Sequence, residues 1–281
     1  MIKRAILCLL LCLVALSFAQ NGHSHWQRTE TPLVRANLFH SLHVINLPTA
    51  STLQKNDIEF EISHRFIPPV TEGTGALWGI DGPVNMRLGL TFGITNDLQI
   101  AVGRSNVEDN SDLQLRYQFA RIEQLPIPVH LAIDAGIAYN SQLTADVKSN
   151  DRKYQYFARM IANTMIQKKV GFGMAPSYLY NSHIYCPNIQ ESWLLPVYVQ
   201  YYVSSSWSLQ AEWAPTLSGW RRWHDSFALG FEIETGGHFF KIFMTNNAVI
   251  NPAQYLAGAD LDPKSRDWRL GFMITRLLDV F

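Results

Sequence analysis

The sequence predicts an all-β fold, an antiparallel transmembrane (outer-membrane) β-barrel of about twelve strands with short turns at one end and long loops at the other. Three observations carry that expectation. From residue 56 onward apolar and polar residues alternate with period two. The connections between the alternating segments are by turns short and long. Past the N-terminus no run of about 18 apolar residues occurs, so helices do not supply a membrane span.

The chain has 281 residues, 47% of them hydrophobic and only 16% charged, with 12% aromatic residues. Such a chain has ample surface to bury, which excludes disorder. The 23 Lys and Arg balance 23 Asp and Glu, and basic runs such as Lys168-Lys169 and Arg221-Arg222 stop at two residues. A nucleic-acid partner is therefore not expected.

At the N-terminus, Lys3 and Arg4 precede an uncharged apolar run from Ala5 to Ala15. Small residues follow at Ser17 and Ala19, the pattern of a cleaved export signal over residues 1–19. Cleavage removes Cys8 and Cys12 and leaves Cys186 alone, so no intrachain disulfide braces the mature chain. Residues 20–55 alternate poorly and carry His23, His25, His40 and His43, and they are expected to form a periplasmic arm or plug.

The barrel is expected over 56–281. In the first strand Ile58, Phe60, Ile62 and Phe66 share one face, opposite Glu59, Glu61, Ser63 and Arg65. Val84 to Thr95 repeats the pattern. Further strands are placed at 98–105, 113–121, 129–139, 154–166, 170–180, 195–203, 207–214, 226–235, 238–246 and 266–278. Asn96-Asp97, Lys168-Lys169, Ser204 to Ser206 and Gly236-Gly237 make tight turns, and the two glycines supply the positive φ of a periplasmic hairpin. In the strand from Ser226, Phe227, Leu229, Phe231 and Ile233 alternate with Glu232 and Glu234 on the other face. Two carboxylates facing a soluble core are costly, whereas a barrel lumen accepts them and lipid covers the apolar face. Tyrosine and tryptophan cluster near strand ends, as at Tyr201, Trp207 and Trp213, where interfacial girdles lie. The chain ends on Phe281, the aromatic that closes a barrel and that insertion machinery reads. The rival fold is a soluble periplasmic β-sandwich that buries the same apolar faces between two sheets.

The charged residues assigned to the lumen are Glu59, Glu61, Arg65, Arg87, Arg104, Arg116, Asp134, Arg159, Glu212, Glu232, Glu234, Lys241 and Arg269. They line either a narrow or gated pore for small solutes or a closed structural barrel braced by ion pairs. A docking barrel engages a periplasmic protein through 20–55.

Catalytic patterns are weak. His224-Asp225-Ser226 is contiguous, but strand neighbours point to opposite faces and cannot form a relay by adjacency. Glu232 and Glu234 share a face at carboxylate-pair spacing, yet ion pairing explains them as well. The histidines of the arm lack the cysteines or acidic pair of a metal site. A barrel hydrolase is the least favoured reading, no catalytic residue is assigned, and no cofactor or metal is expected.

Several strings resemble a known family. They are Ile62 to Phe66, Gly89 to Leu98 with Gly103-Arg104-Ser105, and Phe231 to Phe240 with Thr245-Asn246. Together they resemble the bacterial exported proteins described as a membrane-bound β-barrel domain of unknown function, from about His43 to Phe281. The resemblance implies an outer-membrane barrel; with the export signal, the apolar stripe and Phe281, the expected setting is the outer membrane of a Gram-negative bacterium, with lipid and the insertion machinery as partners. The resemblance implies no substrate and no catalytic residue.

Overall fold

Strand alternation becomes a closed wall. The computed structural model describes residues 38–124, 126–143 and 150–278. Twelve antiparallel strands run in sequence order: β1 (Ile58–Phe66), β2 (Val84–Gly93), β3 (Leu98–Ser105), β4 (Asn110–Ile122), β5 (Val129–Asn140) and β6 (Tyr154–Ile166). Then come β7 (Val170–Met174 with Ser177–Tyr180), β8 (Glu191–Leu194 with Val197–Tyr202), β9 (Trp207–Ala214 with Thr216–Gly219), β10 (Ser226–Glu234), β11 (His238–Thr245) and β12 (Arg269–Leu278). Each strand pairs with its sequence neighbours, and β1 also pairs with β12, setting Ile62 opposite both Leu88 and Ile274. That last ladder leaves no free sheet edge.

Three neighbouring strands are interrupted where the sequence places proline. Pro176, Pro196 and Pro215 split β7, β8 and β9, because proline has no N–H to give to the ladder. Their carbonyls keep the wall together, accepting from the N–H groups of Met160, Ala175 and Leu195. These breaks explain two departures from the expected boundaries. β8 begins at Glu191 rather than 195, and β9 continues past Pro215 to Gly219.

The outward face is the apolar one. Leu88, Leu90, Leu113, Ile133, Phe172 and Ile242 point out and stay exposed. A soluble sandwich would bury them, whereas a barrel in lipid presents them to acyl chains. Among the described residues no helix is long and apolar enough to cross a membrane. Gly236 and Gly237 adopt φ of 62° and 92° in the turn between β10 and β11, as the hairpin requires.

Two segments outside the wall occupy the lumen. At the short-turn end, residues 38–55 precede β1 and fold back as a small hairpin. Val44 donates its N–H to the Leu47 carbonyl and Thr49 donates to that of Leu42, both at 2.9 Å. From the long-loop end, the connection between β11 and β12 turns inward and carries a short helix, α1 (Pro252–Leu256). Asn251 caps it by accepting the Ala253 N–H, with proline at the first helical position. The two segments meet in one apolar cluster, where Phe39, Val44, Ile45 and Leu47 pack with Tyr255 and with Tyr198, Phe243 and Met273 of the wall. Nearer the long-loop end Ala253, Leu256 and Ala257 pack on Phe157, Leu179 and Leu194.

Candidate functional site: the occupied lumen

Inward-facing positions of the strands carry a dense polar network. Arg87 on β2 bridges Glu61 on β1 and Asp112 on β4, each at 2.9 Å. Asp134 on β5 accepts from Arg159 at 2.9 Å and lies 3.4 Å from Arg116. Lys241 on β11 lies 3.3 Å from Glu232 on β10. At the long-loop end Arg269 makes a bidentate contact with Asp260 at 2.7 and 2.9 Å. Charges this deeply buried persist only when paired or hydrogen-bonded, and cross-strand register puts these partners within reach. Glu59 is buried on the same face of β1 as Glu61.

The remaining bonds of several of these groups go to residues 38–55. Arg116 donates to the carbonyls of Leu42 and Ser51 at 3.1 and 3.2 Å. Lys241 donates to the Ser41 hydroxyl at 2.9 Å and to the His43 carbonyl. Arg65 donates to the Asn46 side chain and lies 4.1 Å over the Phe243 ring. Asn163 accepts the Ala50 N–H and Gln99 accepts that of Leu53. Glu234, nearest the short-turn end, pairs with His40 at 3.0 Å. Glu212 on β9 accepts the N–H groups of Ile45, Asn46 and Leu47 together with the Tyr255 hydroxyl. From the other end Asn251 donates to Asn110 and Asp112, and Gln254 donates to Asn140. Between Glu61, Arg87, Arg116 and Asp134 remains a cavity of about 10 Å³, room for a single water.

Twelve of the thirteen charged residues assigned inward by sequence lie on that face. Arg104 is the correction. It points outward from β3, opposite Leu88, with its side chain 57% exposed and paired to Asp109 at 3.0 Å. The alternation Leu98, Ile100, Val102, Arg104 puts it on the outer face, and its position at the strand end lifts the guanidinium toward water. Asp112, Asn46, Asn251 and Tyr255 were not singled out from sequence. Asp112 was recoverable from the parity of β4, since it shares a face with Gln114 and Arg116.

The candidate catalytic groups are committed elsewhere. Ser226 donates to the Tyr255 carbonyl, and Asp225 accepts from Arg221 and from the Thr216 N–H. The His224 main chain bonds that of Ala259. Glu232 and Glu234 face Lys241 and His40. Among the described residues no group of three His, Cys, Asp or Glu is placed to hold a metal. On the loop next to β8, burial and then Arg222 hold the His183 imidazole below its ordinary range. Residues 1–19, His23, His25 and Phe281 lie outside the described residues.

A family model described as "Membrane bound beta barrel domain (DUF5777)" matches residues 39–278. The chain belongs to this family. The match spans the hairpin as well as the wall, so this membrane-bound β-barrel domain includes the segment inside its lumen. Among curated proteins none matches. An outer-membrane channel from Pseudomonas putida F1 is similar in fold, with a TM-score of 0.51 at 10% identity over 82% of this chain and 98% of that one. The NanC porin gives 0.47 at 10% identity, covering 80% of this chain and all of the porin. The Acinetobacter baumannii outer membrane protein Omp33 gives 0.39 at 6%, covering 80% and 99%.

Proposed function

We propose that this outer-membrane barrel is a gated pore for small solutes and that its described state is the closed one. One observation carries the reading: the lumen is obstructed by two segments that are not part of the wall. A twelve-stranded barrel falls between eight-stranded barrels filled by their own side chains and the open porins of 16 to 18 strands. Here residues 38–55 take up much of that extra width, and among the described residues they are joined along the chain to the wall through β1 alone. Withdrawal toward the short-turn side would expose Arg65, Arg116, Lys241 and Glu212 to a water path. In this reading residues 1–19 are the export leader of a Gram-negative bacterium. The short turns face the periplasm, and residues 20–37 offer a periplasmic partner the handle by which the hairpin is pulled.

Planar-bilayer recording tests it. The full mature chain is expected to be silent, and a chain lacking 38–54 to give steady openings, both first shown to be folded by heat-modifiable migration on a gel. A folded, inserted deletion that stays silent would overturn the pore and leave a non-conducting docking barrel.

A further inference from the structure

Glu212 is 2% exposed, and among the described residues no cation forms an ion pair with it. Its hydrogen bonds come instead from the two lumen segments, with the Arg65 guanidinium of β1 acting on it from farther away. The N–H groups of Ile45, Asn46 and Leu47 converge on Oε2 at 3.2, 2.9 and 3.1 Å, with the Asn46 side chain beside them on Oε1. That is a backbone cradle for an anion, built by the tip of the hairpin. The Tyr255 hydroxyl of the inward loop also donates to Oε1, at 2.8 Å. Tyr255 also packs in the cluster that holds Val44, Ile45 and Leu47.

We propose that Glu212 couples the two segments, so that withdrawing the hairpin loosens the inward loop 247–257 and loosening the loop frees the hairpin. The inference rests on the gated-pore reading and adds its regulation. The argument is one of partners. A buried carboxylate stripped of the three N–H groups and the Asn46 amide keeps one hydrogen bond, from the Tyr255 hydroxyl, and the more distant Arg65, which loses its own Asn46 partner in the same step. Water entering the vacated lumen then reaches Glu212 and competes with the Tyr255 hydroxyl for Oε1, while the ring loses the Val44, Ile45 and Leu47 contacts that seat it. The loop does not fall away entirely, because Asn251 still holds Asn110 and Asp112, and Ser226 still holds the Tyr255 carbonyl. Linkage makes the effect reciprocal: whatever factor the hairpin imposes on loop opening, the loop imposes on hairpin release.

Amide hydrogen exchange on the full mature chain in detergent reads both segments at once. Tyr255→Phe keeps the ring in its cluster and removes only the hydroxyl. It is expected to speed exchange at 44–47 about tenfold, within the roughly 5- to 150-fold range of such couplings. Deleting 38–54 is expected to speed exchange at 252–256 by a similar factor. Glu212→Gln is expected to speed both. Either a Tyr255→Phe chain with 44–47 unchanged or a deletion that leaves 252–256 unchanged would overturn the coupling. If Glu212→Gln fails to fold, the other two variants decide. The outcomes separate from those of the pore: a conducting deletion with an unaltered loop sinks the coupling alone, and a silent deletion with a loosened loop sinks the pore alone.

Discussion

The two segments inside the barrel are held in different ways. The hairpin of residues 38–55 is fastened largely through its main chain, to charged or polar side chains of the wall such as Arg116, Lys241, Asn163 and Glu212. The inward loop is fastened by its own amide side chains, with Asn247, Asn251 and Gln254 reaching out to Ser226, Asn110, Asp112 and Asn140. It is also tied to the wall at both ends, by β11 and β12. Under the gated-pore proposal this marks the hairpin as the segment that leaves. Bonds to the wall's charges are exchangeable for water or solute, and a single tether costs less chain entropy to move than two. Replacing side chains of the hairpin at its main-chain contacts leaves those contacts largely intact, whereas single changes in the loop remove its anchors outright.

The largest break in this comparison is expected from Lys241→Met. It strips Glu232 of its buried ion pair, frees the His43 carbonyl from the wall and leaves the Ser41 hydroxyl held there by Glu232 alone, at a cost of about 3–5 kcal/mol. The denaturation midpoint of the barrel should fall, and protease should reach residues 41–43 before it reaches the loop. Equal protection of both segments would contradict the assignment of Lys241 as a hairpin fastener. Next comes Gly93→Ala. A Cβ there would lie 1.9 Å from the Gln54 carbonyl, where the segment leaving the lumen crosses the end of β2. The crossing must shift, costing about 1–3 kcal/mol. Faster exchange at 53–57 with an unchanged loop is the expected signature. Asn251→Ala acts on the other segment, removing a helix cap and two lumen bonds for about 1–2 kcal/mol. Exchange at 252–256 should then accelerate more than exchange at 44–47. The smallest effect is expected from Arg104→Ala. Its partner Asp109 shares an exposed outer pair, which places the change within about 0.5 kcal/mol and leaves conductance of the opened barrel unaltered. A clear conductance change would return Arg104 to the lumen.

Much of the wall was legible in the sequence because its rule is local. Residues two apart share a face of a strand, so Glu59, Glu61 and Arg65 declare one side of β1 and Ile58, Phe60 and Ile62 the other. Arg104 shows how that rule is misapplied. Its charge suggested the lumen, while Leu98, Ile100 and Val102 had already fixed its parity outward. The expected strands begin at 195 and stop at 214, beside Pro196 and Pro215, since sequence gives no sign that the wall continues across a lost N–H.

By itself the sequence determined the class of fold, the twelve strands, which end carries the long loops and nearly all the charges of the lumen. These follow from period-two alternation and turn chemistry within a few residues. Only the tertiary structure decided what fills the barrel and which charges meet. Glu212 lies 166 residues from Asn46 and 43 from Tyr255, and no local pattern records either partner. A buried carboxylate must find donors wherever closure of the barrel brings them, and closure depends on every strand at once.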